Sequence, residues 1–243
     1  MGLSQTPSPD GMALSDLLDV QDVDLTIDRL VHQRQTLPEL TKYQEAAGRH
    51  EALEALRTEK RAVLRSLELD LDKAEGELEL LEMKLKESET RLYAGGMNAR
   101  ETDQKRLEVQ SLRGQQSALE DRVLGLIDQV DPVRAEVARI EAKLAATGEE
   151  VATLEAVIAT AWAQIDGKIA RHANSKREIA ATIPAELVTL YEQLRKSKEG
   201  VAVGRLTGGV CGGCHLALSL PEQTEAADWD PPRCLHCMRI LVL

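Results

Sequence analysis

Apolar residues recur at helical spacing along most of this chain. Between Leu14 and Val31, the residues Val20, Val23, Ile27 and Leu30 lie three and four apart, which marks one face of an α-helix. Pro38 interrupts the pattern. A proline removes a helical hydrogen bond and crowds the preceding turn, so a break or kink is predicted near Thr36–Leu37. Beyond it, Leu53, Leu56, Val63 and Leu67 form one stretch of apolar seam, and Leu71, Ala74, Leu78, Leu81, Leu85 and Leu92 continue it. Consecutive steps of four around Leu67 predict a local phase slip. The pattern stops at Tyr93-Ala94-Gly95-Gly96-Met97-Asn98, where paired glycines favour a turn near 94–98. It then restarts. From Leu119 through Val123, Leu126, Val130, Val133, Val137, Ile140, Leu144, Thr147, Val151, Leu154, Ile158 and Ala161 to Ile165, steps of four and three alternate without a miss. That is a sustained heptad seam. Pro132 falls inside it without changing its phase, which predicts a kink rather than a break.

Two long seams joined by a glycine turn imply an antiparallel coiled-coil hairpin over 14–183, with Leu53 opposite Ile140. Its rival is a parallel homodimer, and dimerisation of the hairpin itself stays open. Pro184 opens a shorter helix within 184–200, carrying Leu187, Leu190, Tyr191 and Leu194. Residues 1–13 read as a disordered tail. Its opening Met1-Gly2-Leu3-Ser4-Gln5-Thr6 also fits the permissive N-myristoylation pattern. The fold class is therefore mostly α: a long antiparallel coiled-coil helical hairpin followed by a small C-terminal domain at 201–243.

Composition agrees with a thin seam. The 243 residues include no Phe, and aromatics amount to 2%, whereas thick globular cores draw much of their buried area from aromatic rings. No apolar run is long enough to cross a membrane. The N-terminus has neither a basic region nor an apolar one of signal type, so a cytoplasmic location is expected.

All four cysteines fall in the C-terminal domain, as Cys211-Gly-Gly-Cys214 and Cys234-Leu-His-Cys237. Two such pairs separated by 19 residues have the spacing of a structural zinc site. Two intervening residues let a tight turn aim both sulfurs at one point, and four thiolates suit one Zn²⁺ ion. The metal supplies stability that a module of this size cannot obtain from apolar burial. Cys211-Gly-Gly-Cys214-His215 also fits the haem-attachment pattern, but that leaves the second pair unexplained. A redox dithiol lacks its βαβ context, and an iron–sulfur site is a further alternative. His215 and His236 adjoin the ligands, and four cysteines already complete a zinc site.

At these residues the chain resembles the bacterial zinc-ribbon coiled-coil hairpin family, formerly a domain of unknown function. The matching stretches are Leu17-Leu18 through Asp28-Arg29-Leu30, then Leu92-Tyr93-Ala94-Gly95. The others are Gly200-Val201-Ala202-Val203 through Val210-Cys211-Gly212-Gly213-Cys214-His215-Leu216, and Arg233-Cys234 through Cys237 with Arg239-Ile240-Leu241. The resemblance implies a bent helical hairpin with a zinc ribbon at its base. It implies zinc held by Cys211, Cys214, Cys234 and Cys237, and association with nucleic acid or an adaptor role for transcription or secretion components. Two residues depart from the family pattern: Leu235 stands where Pro is common, and Met238 where Gly is common. The second departure predicts a looser or reshaped turn after Cys237.

Charge adds a candidate surface. The net charge is −11, yet residues 168–205 carry eight basic and four acidic side chains. The basic set is Lys168, Arg171, Lys176, Arg177, Arg195, Lys196, Lys198 and Arg205, with Arg233 and Arg239 flanking the second cysteine pair. Such a patch on an acidic chain could contact phosphates, or simply be a solvated helix end. Tyr191 and Trp229 are the aromatics within reach, and both are expected to pack the junction between ribbon and helices. The hairpin tip, with Arg91, Tyr93, Met97 and Arg100, is a second candidate, for a protein partner. No phosphate-binding loop, HExxH or nucleophile elbow is present, and His32, His50 and His172 stand singly on helices. The sequence thus points to a non-enzymatic zinc-binding adaptor associated with RNA, a ribosome or a transcription complex. The alternative is a protein-only coiled-coil scaffold or chaperone-like adaptor.

Overall fold

A computed structural model describes residues 9–243, with side chains from Met12 onward. The myristoylation pattern at Met1–Thr6 lies outside the described residues. Helix α1 spans Pro9–Gln35, α2 Pro38–Tyr93, α3 Ala99–Ala180 and α4 Ala185–Ser197. Strands β1 (Val203–Thr207) and β2 (Val210–Cys211), helix α5 (Leu220–Ala227) and strand β3 (Ile240–Val242) complete the chain. Helix α1 begins five residues ahead of the expected Leu14, and Ala13 and Leu14 are already buried. Gln35 ends α1 and Pro38 opens α2, the break predicted from Pro38. A proline at the first helical position gives up only an amide that would lack a helical partner anyway. Pro132 lies within α3, which runs through it unbroken.

Contacts divide the described residues into two units, 41–155 and a second formed by 9–40 with 156–243. The first is the antiparallel hairpin of α2 and α3. Asn98 starts α3 with a reciprocal cap: its Oδ1 accepts from the Glu101 amide at 2.9 Å, and Glu101 Oε2 accepts from the Asn98 amide at 3.0 Å. Every expected α3 seam residue from Leu119 to Leu154 is buried or half-buried.

The α2 seam differs from the expectation. Leu56 and Val63 are exposed, and Arg57, Lys60 and Leu64 are turned inward instead. The sequence Leu53, Arg57, Lys60, Leu64, Leu67, Leu71 keeps the alternation of four and three, so there is no phase slip. Two charged residues occupy seam positions and hid the register from a count of apolar residues. Lys60 reaches Glu136 at 2.9 Å, and His50 Nδ1 lies 3.0 Å from Thr147 Oγ1. Polar residues at seam positions set register at some cost in stability. The His50–Thr147 pair places Leu53 level with Leu144, about one helical turn along α3 from the expected Ile140. Interhelical pairs Arg61–Glu141, Glu68–Arg134, Glu77–Arg122 and Glu89–Arg113 flank the seam at 2.5, 2.9, 3.1 and 2.6 Å.

In the second unit α1, the end of α3 and α4 enclose a core of Leu14, Leu17, Val20, Ile183, Tyr191 and Leu194. Ala202, Val203, Ile240 and Val242 from the small sheet close it. The sheet order is β2-β1-β3, antiparallel between β1 and β2 and parallel between β1 and β3. Central β1 therefore meets the helices at one end and the cysteine turns at the other.

Candidate metal centre and its helical seat

The two cysteine turns are built alike. In the first, the His215 amide donates to the Cys211 carbonyl at 2.8 Å, and the Cys211 amide donates to Leu216 O at 3.0 Å. In the second, the Met238 amide donates to the Cys234 carbonyl at 2.8 Å, and the Cys234 amide to Arg239 O at 2.9 Å. The residue after each second cysteine takes a left-handed conformation, His215 at φ 61° and Met238 at φ 61°. Met238 therefore does not reshape its turn, contrary to the expectation. It adopts the same backbone and bears the steric cost of a side chain there, about 1–2 kcal/mol. Met238→Gly is expected to raise the ribbon's stability by about 1 kcal/mol, after the extra freedom glycine gives the unfolded chain. Guanidinium titration of wild type and variant under equal metal loading measures this.

The four Sγ atoms lie within 4.8 Å of one another. Cys211 and Cys237 sulfurs are 4.0 Å apart, and those of Cys214 and Cys234 are 3.8 Å apart. A tetrahedral ion with sulfurs at 2.3 Å would set them about 3.8 Å apart, so the cluster could hold one metal ion. All four are free thiols, with Cys211 and Cys234 fully buried. Burial pushes the Cys234 thiol up to about 12. Burial also acts on Cys237, but the Arg239 amide and guanidinium together with the Cys214 and Cys234 thiols outweigh it and bring that thiol down to about 7. The Gly213 amide points at Cys211 Sγ from 3.4 Å.

Close packing ties this centre to β1. A Cβ on Gly204 would lie 2.7 Å from the Gly213 nitrogen and 3.3 Å from Cys211 Sγ, so only glycine fits there. The Gly212 amide donates to Arg205 O at 2.9 Å. Arg239 lies against Gly213 and donates from Nε to Val201 O at 2.7 Å and from Nη2 to Lys198 O at 3.2 Å. At the other end of β1, α1 supplies Gln21. Its Oε1 accepts from the Ala202 and Val203 amides at 2.7 and 2.8 Å, and its Nε2 donates to Val203 O at 3.0 Å. One buried side chain thus satisfies three backbone groups that no neighbouring strand covers.

A turn further along α1, Asp24 is buried as well. Its Oδ2 accepts from the Tyr191 hydroxyl at 2.7 Å and pairs with Lys176 at 2.9 Å and Arg195 Nε at 3.4 Å. Lys176 also pairs with Glu192 at 2.6 Å, and Arg195 with Asp28 at 2.7 Å. Burial works against the Lys176 charge, but Glu192 and Asp24 more than offset it and hold its pKa above the ordinary range. Burial is likewise the main cause that lifts the Tyr191 hydroxyl above its own, with Asp24 adding to it.

These contacts sort the basic residues expected to form a phosphate-binding patch. Lys176 and Arg195 are committed to the buried Asp24 and to Glu192 and Asp28, and Arg239 to backbone carbonyls, so none of the three is a free surface cation. Lys168, Arg171, Arg177, Lys196 and Arg205 are exposed, and Lys198 and Arg233 half-buried. These seven have no ion pair among the described residues. Arg177 bonds only the neutral Asn174. Tyr191 packs the junction as expected, whereas Trp229 is 44% exposed. His215 and His236 lie at the surface, His236 with Glu222 3.8 Å away. At the hairpin tip Tyr93 is 79% exposed, Arg91 and Arg100 are exposed and Met97 is half-buried. Among the described residues no helix is long and apolar enough to cross a membrane.

Three comparisons place this architecture among known proteins. The chain is 26% identical over 229 residues to the uncharacterized protein Rv2229c of Mycobacterium tuberculosis, covering 93% of each. A solved structure from Mycobacterium smegmatis matches with TM-score 0.82 and 20% identity, over 96% of this chain and 97% of that one. CT398 from Chlamydia trachomatis matches with TM-score 0.69 and 20% identity, over 96% and 98%. At that identity the likeness concerns the fold. Residues 20–199 match the CT398-like coiled coil hairpin domain, and the chain belongs to that family.

Proposed function

We propose that this protein is a non-enzymatic, cytoplasmic adaptor whose cysteine cluster holds one structural Zn²⁺ and whose ribbon end contacts nucleic acid, within an RNA, ribosomal or transcription assembly. Zinc is the ion that four converging thiolates suit best, and a reducing compartment keeps such thiols available. The observation that carries the nucleic-acid reading is the group of exposed cations without carboxylate partners on an otherwise acidic chain. Lys168, Arg171, Arg177, Lys196 and Arg205 keep their charge for an external anion. Aromatic stacking has little to build on, which favours phosphate contacts over base readout.

The test is binding of a short RNA hairpin, and of DNA of the same sequence, measured against salt. The wild type is expected to lose affinity steeply as salt rises. The combined variant Lys168→Glu, Arg171→Glu, Lys196→Glu and Arg205→Glu is expected to bind at least about 100-fold more weakly, with a shallower salt slope. Lys176 and Arg195 are left intact because reversing them would break the buried network. Binding that is absent in the wild type, or unchanged in the variant, removes this reading. The second reading, a protein-only scaffold, is favoured by the tip, where exposed Tyr93 borders a cleft of about 420 Å³ lined by Leu92, Arg106, Val109 and Arg113. Tyr93→Ser would then abolish partner capture while the charge reversals spare it.

A further inference from the structure

The turn of the hairpin ends α2 on an exposed aromatic residue. The chain has two Trp and three Tyr, and Tyr93, just before the left-handed Gly95 and Gly96, is 79% exposed. It forms one side of the cleft of about 420 Å³, with Leu92, Val109, Arg106 and Arg113. Ligand sites commonly measure about 300–1,000 Å³. Val109 is buried with Leu85 and Leu112, and Leu92 packs against them. The apolar part of the cleft therefore rests on fixed helical side chains rather than on the turn. Tyr and Arg are among the residues that most often anchor protein interfaces.

Charge selects the occupant. Thr102 and Gln110 complete the lining, so two guanidinium groups face the cleft and no carboxylate lines it. Arg113 is answered by Glu89 at 2.6 Å. Arg106 has only Asp103, at 4.0 Å, with both side chains largely exposed, and such a pair is worth little in water. Lys86 lies seven residues before Tyr93, about two turns along the same side of α2, and is exposed without an ion pair among the described residues. The neighbouring acid without a partner, Glu87, lies about 120° around the helix from Tyr93. The cleft thus favours an anionic group over a cationic one. That anion must be short: from Glu68 to Glu82 α2 carries seven acidic residues against Lys73, which repels a polyanion lying along the hairpin. We propose that the tip cleft holds an acidic segment of a partner protein, with an apolar side chain on Leu92 and Val109 beside Tyr93 and a neighbouring Asp or Glu on Arg106. The proposal rests on the second reading above, capture of a protein at the tip, and adds the chemistry of what is captured.

The test pans a phage library of random dodecapeptides on the immobilised full-length protein. Selected peptides are synthesised with a fluorescent label and titrated by anisotropy. The expected result is a set of sequences that combine Asp or Glu with Leu, Ile or Phe and bind the wild type saturably. They are expected to bind Tyr93→Ser and Arg106→Glu each about tenfold or more weakly, and Arg106→Lys more tightly than Arg106→Glu. Exchanging the peptide's Asp and Glu for Asn and Gln is expected to cost about tenfold as well. Both substituted positions are exposed, and circular dichroism checks that helix content is unchanged. Selected peptides that depend on Tyr93 and Arg106 but are neutral or basic overturn the proposal and leave protein capture at the tip standing. If no peptide depends on these residues, the proposal and the second reading fall together. An RNA hairpin that loses affinity in the same two variants, and that displaces the selected peptides, assigns the cleft to nucleic acid and overturns the proposal.

Discussion

Replacing Cys234 with serine is expected to unfold the ribbon while leaving the α2–α3 hairpin helical. The apolar core beneath the cysteine turns is Cys211, Leu218, Ala226, Cys234 and Leu241, with Leu206 and Leu235 at its edge. Those residues are too few to order the cysteine turns by themselves, although Ala202, Val203, Ile240 and Val242 of the same module also pack against the helices. A structural metal contributes roughly 10 kcal/mol in comparable small domains. Loss of one thiolate from a buried four-sulfur site removes a large share of that. Amide protection in β1 and β3 is expected to fall by at least roughly a hundredfold, about 3 kcal/mol, whereas far-ultraviolet dichroism changes little. A chelator applied to the wild type should reproduce the exchange pattern. Unchanged protection in β3 would mean that the cysteines are not what holds the sheet.

Asp24→Ala carries the second large effect. It leaves the Tyr191 hydroxyl without its acceptor and takes from Lys176 and Arg195 the carboxylate they share. Breaking a buried charge cluster from one side costs about 3–5 kcal/mol. The lower end is expected, because Glu192 and Asp28 still answer the two cations. Tyr191→Phe removes one hydrogen bond and leaves the packing, so about 1 kcal/mol is expected. Urea unfolding followed by tryptophan fluorescence measures both, and equal, small losses in the two variants would contradict a central role for Asp24. The sign of the pH dependence follows from Lys176. Its pKa is raised on folding, so its contribution is full below the unfolded-state value and fades only as alkaline pH passes the folded one.

What the sequence showed and hid depends on which residues were counted. The α3 seam was plain because apolar residues fill nearly every heptad position from Leu119 to Ile165. The α2 seam is harder to read because Arg57 and Lys60 occupy it, and Leu56 and Val63, one helical step aside, look like better candidates. Residues beyond the seam decide such cases, since each charged seam residue must find a partner, as Lys60 finds Glu136. The same habit concealed Gln21 and Asp24. They continue the stripe of Leu14 and Leu17 at steps of four and three, and polar residues in such a stripe signal buried hydrogen bonds. The cysteine pairs were legible because ligand spacing is local. The sorting of cations was not: Lys176, Arg195 and Arg239 look identical in composition to Lys168 and Arg205, and only folding brings Asp24, Glu192 and the Val201 carbonyl to them. Helix α5 leaves one local signal in the sequence, the capping box of Ser219 and Glu222 three residues apart.

The central claim is that four thiolates share one metal ion and thereby fix β1 beneath α1. Metal analysis of the purified full-length protein, followed by cobalt exchange and absorption spectroscopy, tests it most directly. The expected result is one zinc per chain, replaced by cobalt with the thiolate charge-transfer bands of a tetrahedral four-sulfur site, and lost in Cys234→Ser. A metal-free protein with four freely titrating thiols and a folded, protected β3 would contradict it.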